Sequence, residues 1–168
     1  MKLAVALSER ADIQRRLSEL NDRLANNAKV QEGDSPAEDP KALLAEMDSL
    51  VSRMETLIVQ INLTNSRTTA DGSTMTGLLA RRDCMKKRVA MLRGFLDCAS
   101  SRVDRYSRAE IAVRSTVDVS ELQKDVDRLS RELRELDEKI QGLNWTTDGS
   151  PAAVGDISAA ENEPQLSV

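Results

Sequence analysis

No histidine occurs among the 168 residues. That absence removes the commonest general base, the Ser-His and Cys-His nucleophile pairs, and the usual His-containing zinc sites. Cys84 and Cys98 are 14 positions apart on one predicted helix. At 1.5 Å per residue the gap is about 21 Å, so the two cannot pair within the subunit and read as reduced thiols. No glycine loop suited to a phosphate and no cysteine cluster with metal spacing stands in the sequence. Carboxylates are plentiful, but they are spread over helix faces among Lys and Arg, the pattern of a solvated surface rather than of a divalent-ion site. The expectation is a protein that is not an enzyme, with no metal and no cofactor.

Three polar groupings remain as candidates for binding. Asn62, Thr64, Asn65, Asn144, Trp145 and Thr146 are predicted to gather at one end of a helical array, where amides, hydroxyls and an indole could hold a small ligand. The simpler reading is helix capping around a buried, hydrogen-bonded Trp. Arg102, Arg105, Tyr106 and Arg108 are predicted at the opposite end, suited to a phosphate or to a partner's carboxylates, or tied by salt bridges to the acidic loop at 32–39. Between Leu78 and Arg93, the cations Arg81, Arg82, Lys86, Lys87, Arg88 and Arg93 stand against Asp83 alone. Such a stripe could follow the phosphates of a nucleic acid or another polyanion, with Arg81, Lys87 and Arg88 at its centre. It lacks neighbouring aromatics for base stacking, and Glu46, Asp48 and Glu55 of the preceding helix are expected to neutralise part of it.

The elements that must position these residues are helical. Phe95, Tyr106 and Trp145 are the only aromatics, so the core is built from Leu, Val, Ile, Met and Ala, which suits helix-on-helix packing. The clearest element runs from Val119 to Leu143, where Val119, Leu122, Val126, Leu129, Leu133, Leu136, Ile140 and Leu143 recur at spacings of three and four. Asp118 is its predicted N-cap, with Glu121 closing a capping box. A first helix is expected over about 3–29, its seam of Leu3, Ala6, Ile13, Leu17, Leu20 and Leu24 interrupted by Arg10. Asp39-Pro40 launches a second helix to about Asn65, with Leu43, Met47, Leu50, Met54, Leu57 and Ile61 on one seam and Leu44, Val51 and Ile58 on a second stripe beside it. Asp71-Gly72 signals a type I′ turn, hence a small β-hairpin at 67–75. A third helix follows to about Ser101, with Leu78, Met85, Val89, Leu92, Leu96 and Ala99 widened by Cys84, Met91 and Cys98. Residues 102–117 alternate as an extended connector.

Four helices of similar length predict an all-α, up-down-up-down antiparallel four-helix bundle or coiled coil. Flanking charges argue against a parallel self-zipper of the fourth helix, in which Glu132 would face Asp137 of a second copy. They predict instead an antiparallel pairing of the first helix with the fourth, matching Glu9, Arg16 and Arg23 with Lys139, Glu132 and Asp125 in one register. The predicted domain is 1–147. An acidic tail at 148–168, with Asp148, Asp156, Glu161 and Glu163 and no Lys or Arg, is expected to be disordered.

Net charge is −4, which gives no overall basic excess. The opening apolar run is interrupted by Ser8, Glu9 and Arg10 before an export core is complete, and no apolar stretch approaches the roughly 18 residues of a membrane span. The expectation is a cytoplasmic protein with no membrane association. The second and third helices carry wider apolar stripes than one bundle consumes, so a homo-oligomer or a protein partner is expected.

Several short motifs carry a resemblance. Asn27-Ala28-Lys29-Val30-Gln31-Glu32-Gly33, Ile61-Asn62-Leu63-Thr64-Asn65, Asp104-Arg105-Tyr106-Ser107-Arg108, Leu122-Gln123-Lys124 and Leu143-Asn144-Trp145-Thr146-Thr147 resemble, in this order, a family of small uncharacterised bacterial helical proteins, some labelled septicolysin. The resemblance covers about residues 1–147 and implies a helical, coiled-coil-rich protein. The label implies a cytolytic, pore-forming role. Against that role stand the missing export core, the missing membrane-length segment and the scarcity of aromatics for an interfacial belt.

Overall fold

The structure, a computed structural model, describes residues 1–101 and 114–149. In chain order these form α1 (Leu3–Asn26), α2 (Pro40–Arg67), β1 (Thr69–Ala70), β2 (Ser73–Thr74), α3 (Met75–Ser100) and α4 (Val119–Thr146). The class is all-α with a small hairpin, as the periodicity predicts. Among the described residues two compact units emerge, one of Met1–Arg67 with 145–149, the other of 68–101 with 114–144.

The first unit is built on a helical hairpin. α1 stops three residues short of the expected end because the buried Asn27 takes over its terminus. The Asn27 amide donates to the Arg23 carbonyl at 2.9 Å, and its Oδ1 accepts the Glu38 N–H at 3.0 Å. Asp39 then caps α2 as expected, its carboxylate accepting the Lys41 N–H at 3.0 Å, with Pro40 in the first turn where no N–H is needed. Leu3, Ala6, Ile13 and Leu20 are buried on α1, and Leu43, Leu50, Leu57 and Ile61 on α2. Each fully buried Leu contributes roughly 1.5–3 kcal/mol.

Charges fix the register of this hairpin. Arg53 grips the Glu9 carboxylate at 2.7 and 2.9 Å, Arg16 reaches Glu46 at 3.1 Å, and Arg23 pairs with Glu38 and, at 3.4 Å, with Glu46. Glu9–Arg53, Arg16–Glu46 and Arg23–Glu38 share one antiparallel register to within one residue, which brings Leu20, Ile13 and Ala6 about level with Leu43, Leu50 and Leu57, while the Arg23–Glu46 contact reaches one heptad further along. The predicted pairing of Glu9, Arg16 and Arg23 with the fourth helix is therefore corrected. Lys139 pairs with Asp71, while Glu132 and Asp125 both pair with Arg128 of their own helix. The physical reason is proximity along the chain: α2 follows α1 through the loop at 27–39, a far smaller closure than that to α4, and Glu38 of the loop with Glu46 and Arg53 of α2 forms an equally complementary charge set.

In the second unit, Thr69 pairs with Thr74 and Ala70 with Ser73. Asp71 and Gly72 sit at φ 49° and 75°, the left-handed pair that a type I′ turn requires. Thr74 caps α3 by accepting the Gly77 N–H at 3.1 Å. At the start of α4 the Asp118 carboxylate accepts the N–H groups of Ser120 and Glu121 at 2.8 and 3.0 Å. α3 and α4 run antiparallel, linked by Arg93 to the Ser130 hydroxyl at 2.9 Å and by Arg82 and Lys86 to Asp137 at 3.8 and 3.9 Å. Val126, Leu129 and Ile140 of the expected α4 seam are buried, and its remaining members are half-buried.

Candidate functional site

The first unit holds a cavity of ≈ 290 Å³. Its apolar wall is Leu3, Ala6 and Ile61, and its polar wall is Arg53, Gln60 and Thr64, with Gly149 at the margin. The chain's first residues are clasped by 146–149 beside it. The Leu3 N–H donates to the Thr147 carbonyl at 3.0 Å, the Gly149 N–H to the Met1 carbonyl at 2.8 Å, and the Lys2 ammonium to the Thr146 carbonyl at 3.1 Å and the Asp148 carboxylate at 2.8 Å. A Cβ on Gly149 would lie 3.2 Å from the Met1 carbonyl oxygen, closer than an ordinary contact. Asp148 and Gly149, the first two residues of the predicted tail, are both engaged in this clasp; residues 150–168 lie outside the described residues.

Several polar groups of the cavity are already committed. Arg53 spends Nε and one terminal nitrogen on Glu9, and the Thr64 hydroxyl donates to the Gln60 carbonyl at 2.7 Å. What remains among the described residues is the second terminal nitrogen of Arg53 and the Gln60 amide, enough to orient a small polar molecule. The Glu9 carboxyl is held below its usual range by the Arg53 hydrogen bonds, and the Asp148 carboxyl by that from Lys2.

Of the predicted polar cluster, only Thr64, which is buried, lines the cavity, and Thr146 meets Lys2 through its carbonyl. Asn62 is exposed, Asn65 half-buried and Asn144, in the second unit, half-buried. Trp145 is 67 % exposed, which corrects the expectation of a buried indole. Arg102, Arg105, Tyr106 and Arg108 lie outside the described residues. The contributions of Lys2, Arg53, Gln60 and Gly149 left no distinctive motif in the sequence.

The basic run of α3 is split by its neighbours. Arg82 bonds to Asp83 at 2.8 Å and faces Asp137, Lys86 faces Asp137, and Arg93 donates to Ser130. Arg81, Lys87 and Arg88 are exposed and make no ion pair among the described residues. Neutralisation by Glu46 is corrected, because Arg16 and Arg23 occupy that carboxylate; the anions that partner this run are Asp83 and Asp137.

Among the described residues, two apolar faces are exposed. On α2, Leu44, Val51 and Ile58 are 47 %, 44 % and 38 % exposed beside buried Leu43, Leu50 and Leu57. On α3, Met91 and Phe95 are exposed together with Cys84 and Cys98, which are free thiols. Among the described residues no group of His, Cys, Asp and Glu could hold a metal ion, and no helix is long and apolar enough to cross a membrane.

Residues 10–148 match the model of a family of unknown function, DUF6847, and the chain belongs to that family. It is also similar to a solved structure described as a functionally unknown conserved protein from Corynebacterium diphtheriae. The two share 44 % identity and superpose with a TM-score of 0.83, over 89 % of this chain and 99 % of the other. No curated protein matches the chain.

Proposed function

We propose that this member of the family is a non-enzymatic cytoplasmic interaction protein that works by self-association. The observation that carries the proposal is the exposed α2 stripe of Leu44, Val51 and Ile58, one heptad apart and contiguous with a buried seam. A lone exposed Leu is ordinary, but three on one line, with a second apolar face on α3, form the kind of patch that marks an interface. The absence of histidine and the committed polar groups of the cavity support a role without catalysis. Size-exclusion chromatography with light scattering at tens of micromolar tests it: a mass above one chain is expected, and a strict monomer of 18.5 kDa refutes it.

A second reading, binding of nucleic acid or another polyanion, is favoured by the exposed Arg81, Lys87 and Arg88, which make no ion pair among the described residues. Such binding would be independent of sequence and fall steeply with salt. Titration with mixed duplex and single strands at low salt decides, and binding that survives Arg81→Glu, Lys87→Glu and Arg88→Glu together removes this face from consideration. The pore-forming role attached to the septicolysin label finds no support in the helices, none of which among the described residues suits a membrane span.

A further inference from the structure

We infer that the partner of the α2 stripe is the outward face of α3 on a second copy of this chain, packed antiparallel to it. This rests on the self-association reading and assigns the surfaces that meet. On α2, Asp48 and Glu55 follow Leu44 and Val51 by four positions, so they border the stripe on the side away from buried Leu43, Leu50 and Leu57. On α3, Arg81 and Arg88 follow Gly77 and Cys84 by four positions and border the line of Gly77, Cys84 and Met91 in the same rotational sense. All four charges are exposed, and none makes an ion pair among the described residues.

Electrostatics selects the pairing. If α2 met α2 of a second copy antiparallel, Asp48 would face Glu55; if α3 met α3, Arg81 would face Arg88. Like charges disfavour both. When α2 meets α3 antiparallel, groups on the same rotational side come together, so Asp48 faces Arg88 and Glu55 faces Arg81. In the same register, to within one residue, Leu44 comes level with Met91, Val51 with Cys84, and Ile58 with Gly77, whose missing side chain leaves room for the larger residue. A parallel pairing of the same helices would turn Asp48 and Glu55 toward the flank of Ala80, Lys87 and Gly94, which offers one cation in place of two, so the antiparallel pairing is favoured. The contact is heterologous, one surface of each copy against a different surface of the next.

The test uses the full chain with Val51→Cys in a Cys98→Ser background, mixing isotopically labelled and unlabelled protein before mild oxidation. A disulfide needs Cα atoms within about 7 Å, so only residues that are level across the contact link. The expected product joins position 51 of one chain to Cys84 of another, seen as a mixed-isotope cross-linked peptide. Asp48→Lys with Glu55→Lys, or Arg81→Glu with Arg88→Glu, weakens association by about tenfold, and mixing the two variants restores it. An oligomer by light scattering without that cross-link, or with links only between like positions or within one chain, overturns this pairing and leaves self-association standing. A monomer overturns both, and binding of the stripes to a protein of another sequence would then account for their exposure.

Discussion

Leu57→Ala and Val51→Ala separate the two apolar faces of α2. Leu57 is 0 % exposed and Val51 is 44 % exposed, although they lie less than two turns apart. Truncating a fully buried leucine removes its transfer free energy and leaves a cavity that relaxes only in part, a loss of about 3 kcal/mol. For a chain of this size that lowers Tm by roughly 6 to 12 °C. Truncating Val51 removes two methyl groups that are already half in water, and in dilute solution it costs less than about 0.5 kcal/mol. The assay is urea denaturation followed by circular dichroism, run at low and at high protein concentration. Val51→Ala is expected to cost more at high concentration, where the stripe is covered, while the Leu57→Ala deficit appears at both. Equal costs for the two variants in dilute solution would refute this division of α2 into a core face and an interface.

Further outcomes follow from the ion pairs and the turn. Glu9→Arg should destabilise the α1/α2 hairpin by setting two arginines together, and Glu9→Arg with Arg53→Glu should recover most of the loss in the same denaturation assay. By contrast, Glu132→Lys with Asp125→Lys should not be rescued by Arg16→Glu with Arg23→Glu, because those residues are not partners. Glu9, Glu38 and Asp148 all have carboxyls held below their usual values of 4.5, 4.5 and 3.8 by hydrogen bonds from Arg53, Arg23 and Lys2. The folded state therefore resists their protonation, and their contribution is complete above those values and is lost as pH falls through the lowered ones. Thermal melts should be level from neutral pH to above 4.5, then fall, and Asp148→Asn should make the acid loss smaller. Gly72→Ala places a Cβ at φ 75° and should cost roughly 1 kcal/mol by thermal melt, with the hairpin the first element to exchange amide protons.

Local chemistry makes much of the fold legible in the sequence. Asp118, Asp39-Pro40 and Asp71-Gly72 act on backbone groups within a few residues, so their types alone located two helix starts and a turn. The seams were legible for the same reason, since spacing along one helix fixes one face. The partner of α1 was not, because Glu9, Arg16 and Arg23 find complementary charges on both the second and the fourth helix, and exposed pairs worth at most about 1 kcal/mol leave no mark that distinguishes them. The clasp of Lys2 by Thr146 and Asp148 was hidden because Asp148 and Gly149 open a polar segment whose composition resembles that of the tail. The exposure of Trp145 is not legible in the sequence because the burial of a single aromatic is decided by what stands opposite it, which composition does not report.

Self-association through the α2 stripe is tested most directly by sedimentation velocity from about 1 to about 100 μM on the native chain beside Val51→Asp. The native protein should sediment faster as concentration rises, whereas the variant, with a carboxylate in the middle of the stripe, should keep the monomer's coefficient and an unchanged dilute-solution melt. A native chain that stays monomeric throughout, or a variant that associates as strongly as the native chain, would contradict the assignment of this face as an interface.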